Sequence, residues 1–382
     1  MIAVVTALPE PDGRRVPELD GIRGIAILFI LVWHYLLGEV GAPPPLFRFL
    51  NITSSGVDLF FVLSGFLIGG ILLDHRDAKN YFRVFYARRV CRIFPIYFAW
   101  LLMYALLNPV RYHLHLGTAA DWSLKPQLPL WSYATFLQNF LQAKRSTFGP
   151  FWLAPTWSLA VEEQFYLLLP LVIRFTPRRW LPALLGAFVV VAPFARAFVY
   201  DPQQGRIAST VLLICRTDSL LLGVLCAWMV RQEGGPERIV RWAPALRILF
   251  LSGVGFAMLT EYVPETRMSR VAHDSALAVA YTCLVMLALY TPRSPFSCMS
   301  RWLWLRRLGI IAYGTYLIHE TVLGVVFGFA RGRWPYILGW SDLLLNIPAL
   351  AVTICIATIS WRWFEKPIVS FGRIRWKYEG VR

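Results

Sequence analysis

Gly21-Ile-Arg-Gly-Ile-Ala-Ile-Leu-Phe-Ile-Leu-Val-Trp-His34 is the first long apolar run of the chain, and its reading decides the fold. Arg23 and His34 are eleven residues apart in it, almost three helical turns. Both side chains therefore fall on one face of a helix, roughly 16 Å apart along its axis. In a hydrocarbon core an ionisable side chain costs on the order of 3 kcal/mol or more, so such residues mark a pathway or a site.

The composition places this helix among many. Of 382 residues, 57% are hydrophobic and 16% charged, and mean hydropathy is positive. That is more apolar surface than a soluble core buries. The net charge of +16 could suggest a nucleic-acid binder, but the Lys and Arg fall in clusters between the apolar runs instead of along one stripe. Such clustering is topological and excludes nucleic acid as the partner. The fold class read here is an all-α integral membrane protein, a bundle of about ten transmembrane helices. Each is near the ~20 residues that a bilayer core requires: 22-40, 56-73, 93-108, 157-174, 181-199, 209-229, 244-261, 274-291, 308-328 and 342-362.

Alternate connections are basic. Arg14 and Arg15 precede the first span, Arg76 to Arg92 follow the second, and Arg174, Arg178 and Arg179 follow the fourth. The intervening loops are poorer in cations. Both termini are therefore expected on the cytoplasmic side of the cell inner membrane. Met1 to Arg15 lack an apolar core, so no cleavable signal is expected. Six cysteines (Cys91, Cys215, Cys226, Cys283, Cys298, Cys355) show no metal-ligand spacing, and neither a disulfide framework nor a metal site is expected. With no internal repeat, the organisation reads as a cytoplasmic segment 1-20, one transmembrane domain 21-367 and a basic tail 368-382. The domain contains an arginine-rich connection 74-94 and a long extracytoplasmic connection 109-155.

Within that long connection, Trp131 to Phe140 is apolar and aromatic but too short to span. It reads either as an interfacial belt helix or as a re-entrant segment at a cavity mouth. His113 and His115 read as exposed loop histidines, and Asn51-Ile-Thr53 is formally a glycosylation sequon. In the 74-94 connection, aromatics alternate with Arg83, Arg88, Arg89 and Arg92 at helical spacing. One reading is an interfacial helix held by anionic headgroups. The other is a set of guanidinium groups converging on a phosphorylated ligand.

The remaining intramembrane polar groups are Asp58 and Ser64 on span two, Ser158, Glu162 and Tyr166 on span four, Arg216 and Asp218 on span six, and Tyr316, His319 and Glu320 on span nine. Ser158, Glu162 and Tyr166 recur every four residues and share a face. Each group alone could be a structural interhelical hydrogen bond worth under about 2 kcal/mol. Their density favours a buried polar site.

These residues also carry a resemblance. Glu18-Leu-Asp-Gly-Ile-Arg23-Gly with His34 resembles the Arg-ten residues-His signature of the acyltransferase family 3 membrane proteins. Gly56-Val-Asp-Leu-Phe-Phe-Val-Leu-Ser-Gly-Phe66 is similar to the family's second-span motif. Tyr81-Phe82 with Arg88-Arg89 and Arg92-Ile-Phe-Pro95 is similar to its arginine motif, and Thr156 to Tyr166 to its fourth-span motif. Tyr313-Gly-Thr-Tyr-Leu-Ile-His319 and Arg362-Trp-Phe-Glu365-Lys-Pro367 match later elements, so the similarity runs in order from Glu18 to Pro367.

The resemblance implies a ten-span enzyme that moves an acyl group, commonly acetyl, from acyl-coenzyme A to a hydroxyl of a carbohydrate-containing acceptor, with no permanently bound cofactor. An alcohol is a poor nucleophile, and a neutral imidazole suits the base it needs. His34 is the catalytic candidate, with Asp58 as the carboxylate fixing its tautomer. Arg23 would orient the donor, and Arg88, Arg89 and Arg92 would grip its nucleotide end. Ser158, Glu162, Tyr166, Arg216, Asp218 and His319 are candidate substrate-binding residues. Two other classes stand beside this one: a transporter or flippase whose ionisable groups form a path, and a non-catalytic scaffold of a glycan-assembly complex.

Overall fold

A computed structural model describes residues 16–37, 45–114, 124–202 and 206–380. Arg14 and Arg15, most of segment 1-20, His115 and the last two residues of the tail lie outside the described residues, as does the side chain of His113. The described elements are helical. The principal ones are α1 Pro17–Val32, α2 Gly56–Asp74, α3 Tyr81–Leu114, α4 Thr156–Phe175, α5 Leu181–Val199 and α6 Thr217–Met229. They continue as α7 Gly235–Thr260, α8 Arg267–Tyr290, α9 Leu303–Ile310, α10 Ala312–Arg331, α11 Trp340–Ser360 and α12 Lys366–Arg375.

Where described, each of the ten apolar stretches is mainly helical, but they are not ten equal rods. Among the described residues, seven helices are long and apolar enough to cross a membrane, or eight if the bent pair α9 and α10 counts as one span. The two others depart for physical reasons. Helix α4 has the length, at 20 residues, but Glu162, Glu163 and Gln164 in its middle dilute its apolar character. The stretch 209-229 is broken: Ile207–Val211 and a 3-10 turn Leu213–Arg216 precede an α6 of only 13 residues. Carbonyls at this break are taken up by arginines, Thr210 by Arg216 Nε at 2.9 Å and Cys215 by Arg196 Nη1 at 2.6 Å. Irregular backbone at membrane depth persists only where such partners exist.

Glycines set the closest helix contacts. A Cβ on Gly21 or Gly24 would collide with the carbonyls of Ser300 and Leu305, and one on Gly309 with the carbonyl of Asp20. The opening Gly-Ile-Arg-Gly stretch thus lets α9 lie flush on α1, and the chain then turns by 76° into α10. Gly65 and Gly223 bring α2 and α6 together in the same way. Small residues permit this packing where no hydrophobic effect drives helices together.

Two π-turns interrupt the helices, Trp33–Leu37 after α1 and Trp361–Glu365 after α11. Such turns add a residue to the winding and re-aim side chains. The first is clamped at Tyr35, whose hydroxyl donates to the His319 carbonyl at 3.0 Å and lies 2.8 Å from Thr353 Oγ1, while Asn346 donates to its carbonyl. The neighbour of His34 is therefore fixed to α10 and α11.

The Trp131–Phe140 stretch divides. Short helices Leu130–Ala134 and Gln138–Arg145 leave Trp131 and Phe140 outward-facing. Tyr133, Gln138 and Asn139 are buried and stitched to the bundle, with Gln138 donating to the Thr156 carbonyl at 2.9 Å and Gln164 to the Phe136 carbonyl at 2.8 Å.

Candidate active site

His34 leaves the first π-turn toward α10. Its Nε2 lies 3.4 Å from Glu320 Oε1, and its ring meets that of His319 edge-on, with centroids 4.8 Å apart. The carboxylate beside His34 is thus Glu320, not Asp58 as the sequence suggested. His34 keeps 24% of its side-chain surface accessible, enough for a substrate to reach, whereas His319 is fully buried. His319 Nδ1 donates to the Tyr316 carbonyl at 2.6 Å. A carbonyl only accepts, so the proton sits on Nδ1 and Nε2 holds a lone pair. That Nε2 is buried and has no hydrogen-bond partner among the described residues.

A polar column runs from this cluster along α4. Ser158 Oγ lies 2.6 Å from the Tyr316 hydroxyl, and that hydroxyl donates to the Pro155 carbonyl at 2.8 Å. Eight residues further on, about 12 Å along the axis, the Tyr166 hydroxyl lies 2.5 Å from Ser64 Oγ on α2. Glu162 sits between the two and hydrogen-bonds both Ser64 and Tyr166. The period-four face expected from the sequence is the face that lines the bundle interior.

The column continues toward the basic end. Arg89 and Arg23 are electrostatic neighbours of Glu162, and Arg89 also faces Glu163. Arg92 lies over the rings of Trp361 and Tyr313 at 5.4 and 6.0 Å, near Glu365 and Arg23. Arg23 is also held by Asp20, Nη1 to Oδ1 at 3.1 Å. Arg88 turns the other way, its Nε donating to the Trp376 carbonyl at 2.8 Å. The arginine motif therefore divides, with Arg89 and Arg92 toward the polar interior and Arg88 toward the chain's last residues.

Asp58, Arg216 and Asp218 belong to a second, separate set. Arg216 Nη1 lies 3.0 Å from Asp58 Oδ1 and 3.4 Å from Asp274 Oδ2. Arg196 forms a fork to Asp218 at 3.0 and 2.6 Å, and Arg270 reaches Asp274 at 3.3 Å. Arg216 and Asp218 do have different partners, as two positions two apart on a helix require. Asp58 is engaged in this network, and the carboxylate beside His34 is that of Glu320.

Sequence reasoning overlooked Arg196, Asp274 and Arg270 in the network, and Glu163 and Glu365 along the path. Arg196 carried an available signal, being the one charged residue within the 19-residue apolar run 181–199. Glu365 was visible only as part of a motif.

His34, His319 and Glu320 are also a set that could hold a metal ion, their ligand atoms all within 4.8 Å of one another. A tetrahedral zinc site with ligands at about 2.1 Å has edges of about 3.4 Å. The set would have to contract by up to ~1.4 Å to hold that ion, so its present spacing suits proton handling better.

The putative peptidoglycan O-acetyltransferase YrhL of Bacillus subtilis is 28% identical over 380 residues, covering 94% of this chain and 56% of the relative. The O-acetyltransferase OatA of Staphylococcus aureus is 26% identical over 381 residues, covering 94% of this chain and 58% of the relative. A putative O-acetyltransferase of the same organism is 24% identical over 376 residues, with the same coverage. This chain therefore spans little more than half the length of these relatives. No solved structure matches it. Residues 16–362 match the acyltransferase domain of the acyltransferase 3 family, and the chain belongs to that family.

Proposed function

We propose that this protein is a membrane O-acyltransferase that moves an acyl group, acetyl by analogy with its relatives, from acyl-coenzyme A to a carbohydrate hydroxyl. The name of the Bacillus subtilis relative, a putative peptidoglycan O-acetyltransferase, points to peptidoglycan as the acceptor. One observation carries the reading: an imidazole–carboxylate pair, His34 and Glu320 at 3.4 Å, stands at the end of a polar column that begins among arginines.

In this mechanism His34 Nε2–H faces Glu320 and Nδ1 takes the proton of the acceptor hydroxyl. The hydroxyl oxygen bonds to the thioester carbonyl carbon, the C–S bond breaks, and coenzyme A leaves as thiolate. Glu320 stabilises the imidazolium formed at His34, the role a carboxylate plays in a hydrolase triad. Glu162, Ser158 and Tyr166 line the path of the donor's arm. Arg23, Arg89 and Arg92 bind its phosphates, where delocalised guanidinium groups give charge-assisted bonds. Direct transfer along this column needs no covalent relay. The basic end faces the cytosol in this reading, with all ten helical stretches crossing the inner membrane, both termini cytoplasmic and residues 21-367 forming one domain. No bound cofactor is required beyond the donor.

Purified protein in lipid nanodiscs, given acetyl-coenzyme A and peptidoglycan fragments, should release free coenzyme A and form O-acetylated product. Movement of glycan across the bilayer without coenzyme A release would replace this reading with that of a flippase.

A further inference from the structure

The last described residues fold back over the arginine motif. Beyond α12, Lys79 N donates to the Glu379 carbonyl at 3.2 Å, Asn80 Nδ2 to the Lys377 carbonyl at 2.9 Å, and Glu379 N to Asn80 Oδ1 at 3.0 Å. These bonds tie a strap, Trp376–Glu379, across the start of α3. Arg88 is held by it twice: Nε donates to the Trp376 carbonyl at 2.8 Å, and the guanidinium carbon lies 5.2 Å from the centroid of the Tyr378 ring. That ring stacks on the His75 imidazole, centroids 3.8 Å apart and 28° between planes.

The chemistry of this grip differs from that of two other arginines at the same end, Arg231 and Arg178. Arg231 and Arg178 are paired with carboxylates, those of Asp74 and Asp77, each at 2.6 Å. Such pairing cancels their charge. Arg88 is held by a neutral carbonyl and an aromatic face, which orient a cation without neutralising it. Among the described residues its terminal amino groups make no hydrogen bond or ion pair. A guanidinium fixed at Nε and across its plane, with both terminal groups left over, is preorganised for a bidentate phosphate contact.

We propose that the strap Trp376–Glu379 is a positioning element of the donor site, with Tyr378 as its key side chain, setting Arg88 to receive a phosphate of coenzyme A. This rests on the reading of acyl-coenzyme A as donor. Arg88 contacts the ligand, and Tyr378 acts through Arg88.

The test is coenzyme A binding to the full chain in nanodiscs, for wild type, Arg88→Ala, Tyr378→Ala, Tyr378→Phe and the Arg88→Ala/Tyr378→Ala double variant. Thermal unfolding serves as the folding control. Tyr378→Ala should weaken binding about 5–10-fold, Tyr378→Phe should stay within about twofold of wild type because the ring face is kept, and Tyr378→Ala should add less than about twofold once Arg88 is gone. Independent, multiplicative effects of the two alanine variants would overturn the strap's role. So would a Tyr378→Ala variant that binds like wild type while Arg88→Ala binds weakly. Arg88→Ala that binds coenzyme A as wild type does would overturn the Arg88 phosphate contact and the proposal with it, whereas wild-type protein that does not bind coenzyme A would overturn the donor reading on which the proposal stands.

Discussion

The His34 cluster and the Arg196–Arg216 network are both buried and both built from ionisable side chains, yet they are opposite kinds of polar site. In the network three arginines, Arg196, Arg216 and Arg270, meet three aspartates, Asp58, Asp218 and Asp274. Charge is balanced, and the pairs bridge α2, α5, α6 and α8. In the His34 cluster His319 Nε2 has no hydrogen-bond partner among the described residues, and His34 itself is partly accessible. Polar density in a membrane bundle therefore does not by itself mark the chemistry. What distinguishes the reactive set is a partly accessible imidazole facing a carboxylate, whereas the network's arginines and aspartates are paired with one another and largely buried.

The largest effect should fall on His34. His34→Ala is expected to lower transfer by about 10³-fold or more, with thermal stability close to wild type, since the hydrogen bonds that fix this turn to α10 and α11 are made by Tyr35. Full loss of folded protein, read by size exclusion, would move His34 into the structural class with the network.

The network should respond the other way. Asp218→Asn leaves Arg196 buried and partly unpaired, and breaking a buried pair in this manner costs about 3–5 kcal/mol. Replacing both members, Arg196→Met with Asp218→Leu, should recover much of that stability and retain activity. If the double replacement recovers stability yet loses all transfer, the network is part of the site after all.

Glu320→Gln sharpens the comparison from inside the reactive cluster. The amide keeps shape and loses charge, so imidazolium at His34 is less stabilised, and turnover should fall by about 10–100-fold with donor affinity unchanged. A rise in donor KM alone would place Glu320 in binding instead of proton transfer.

Much of this was legible in one dimension. Apolar runs located the helices because a bilayer demands length and apolarity, and the run 181–199 matches α5 at both ends. The shared face of Ser158, Glu162 and Tyr166 followed from helical period. Pairing between distant helices was not legible. Asp58 and Glu320 are both carboxylates near the right depth, and only the packing of α10 on the first π-turn decides which one meets His34. The break at Leu213–Arg216 was hidden for a related reason: one of the arginines that satisfy its carbonyls comes from α5, and the apolar residues on either side of Arg216 and Asp218 together have the length of one span.

The smallest effect isolates environment from geometry. Arg178–Asp77 and Arg196–Asp218 close at the same 2.6 Å. In the first pair the side chains are 74% and 69% exposed, in the second 1% and 4%. Exposed pairs are screened by water and salt, and the entropy of holding two long side chains offsets most of the attraction. Asp77→Asn should therefore change stability by less than about 1 kcal/mol, against the several expected at Asp218. Thermal unfolding of the two variants in the same nanodiscs gives the contrast directly. Equal losses would mean that the Asp77 pair is sequestered in the native membrane setting, and that the basic end of the bundle is buried against something other than water.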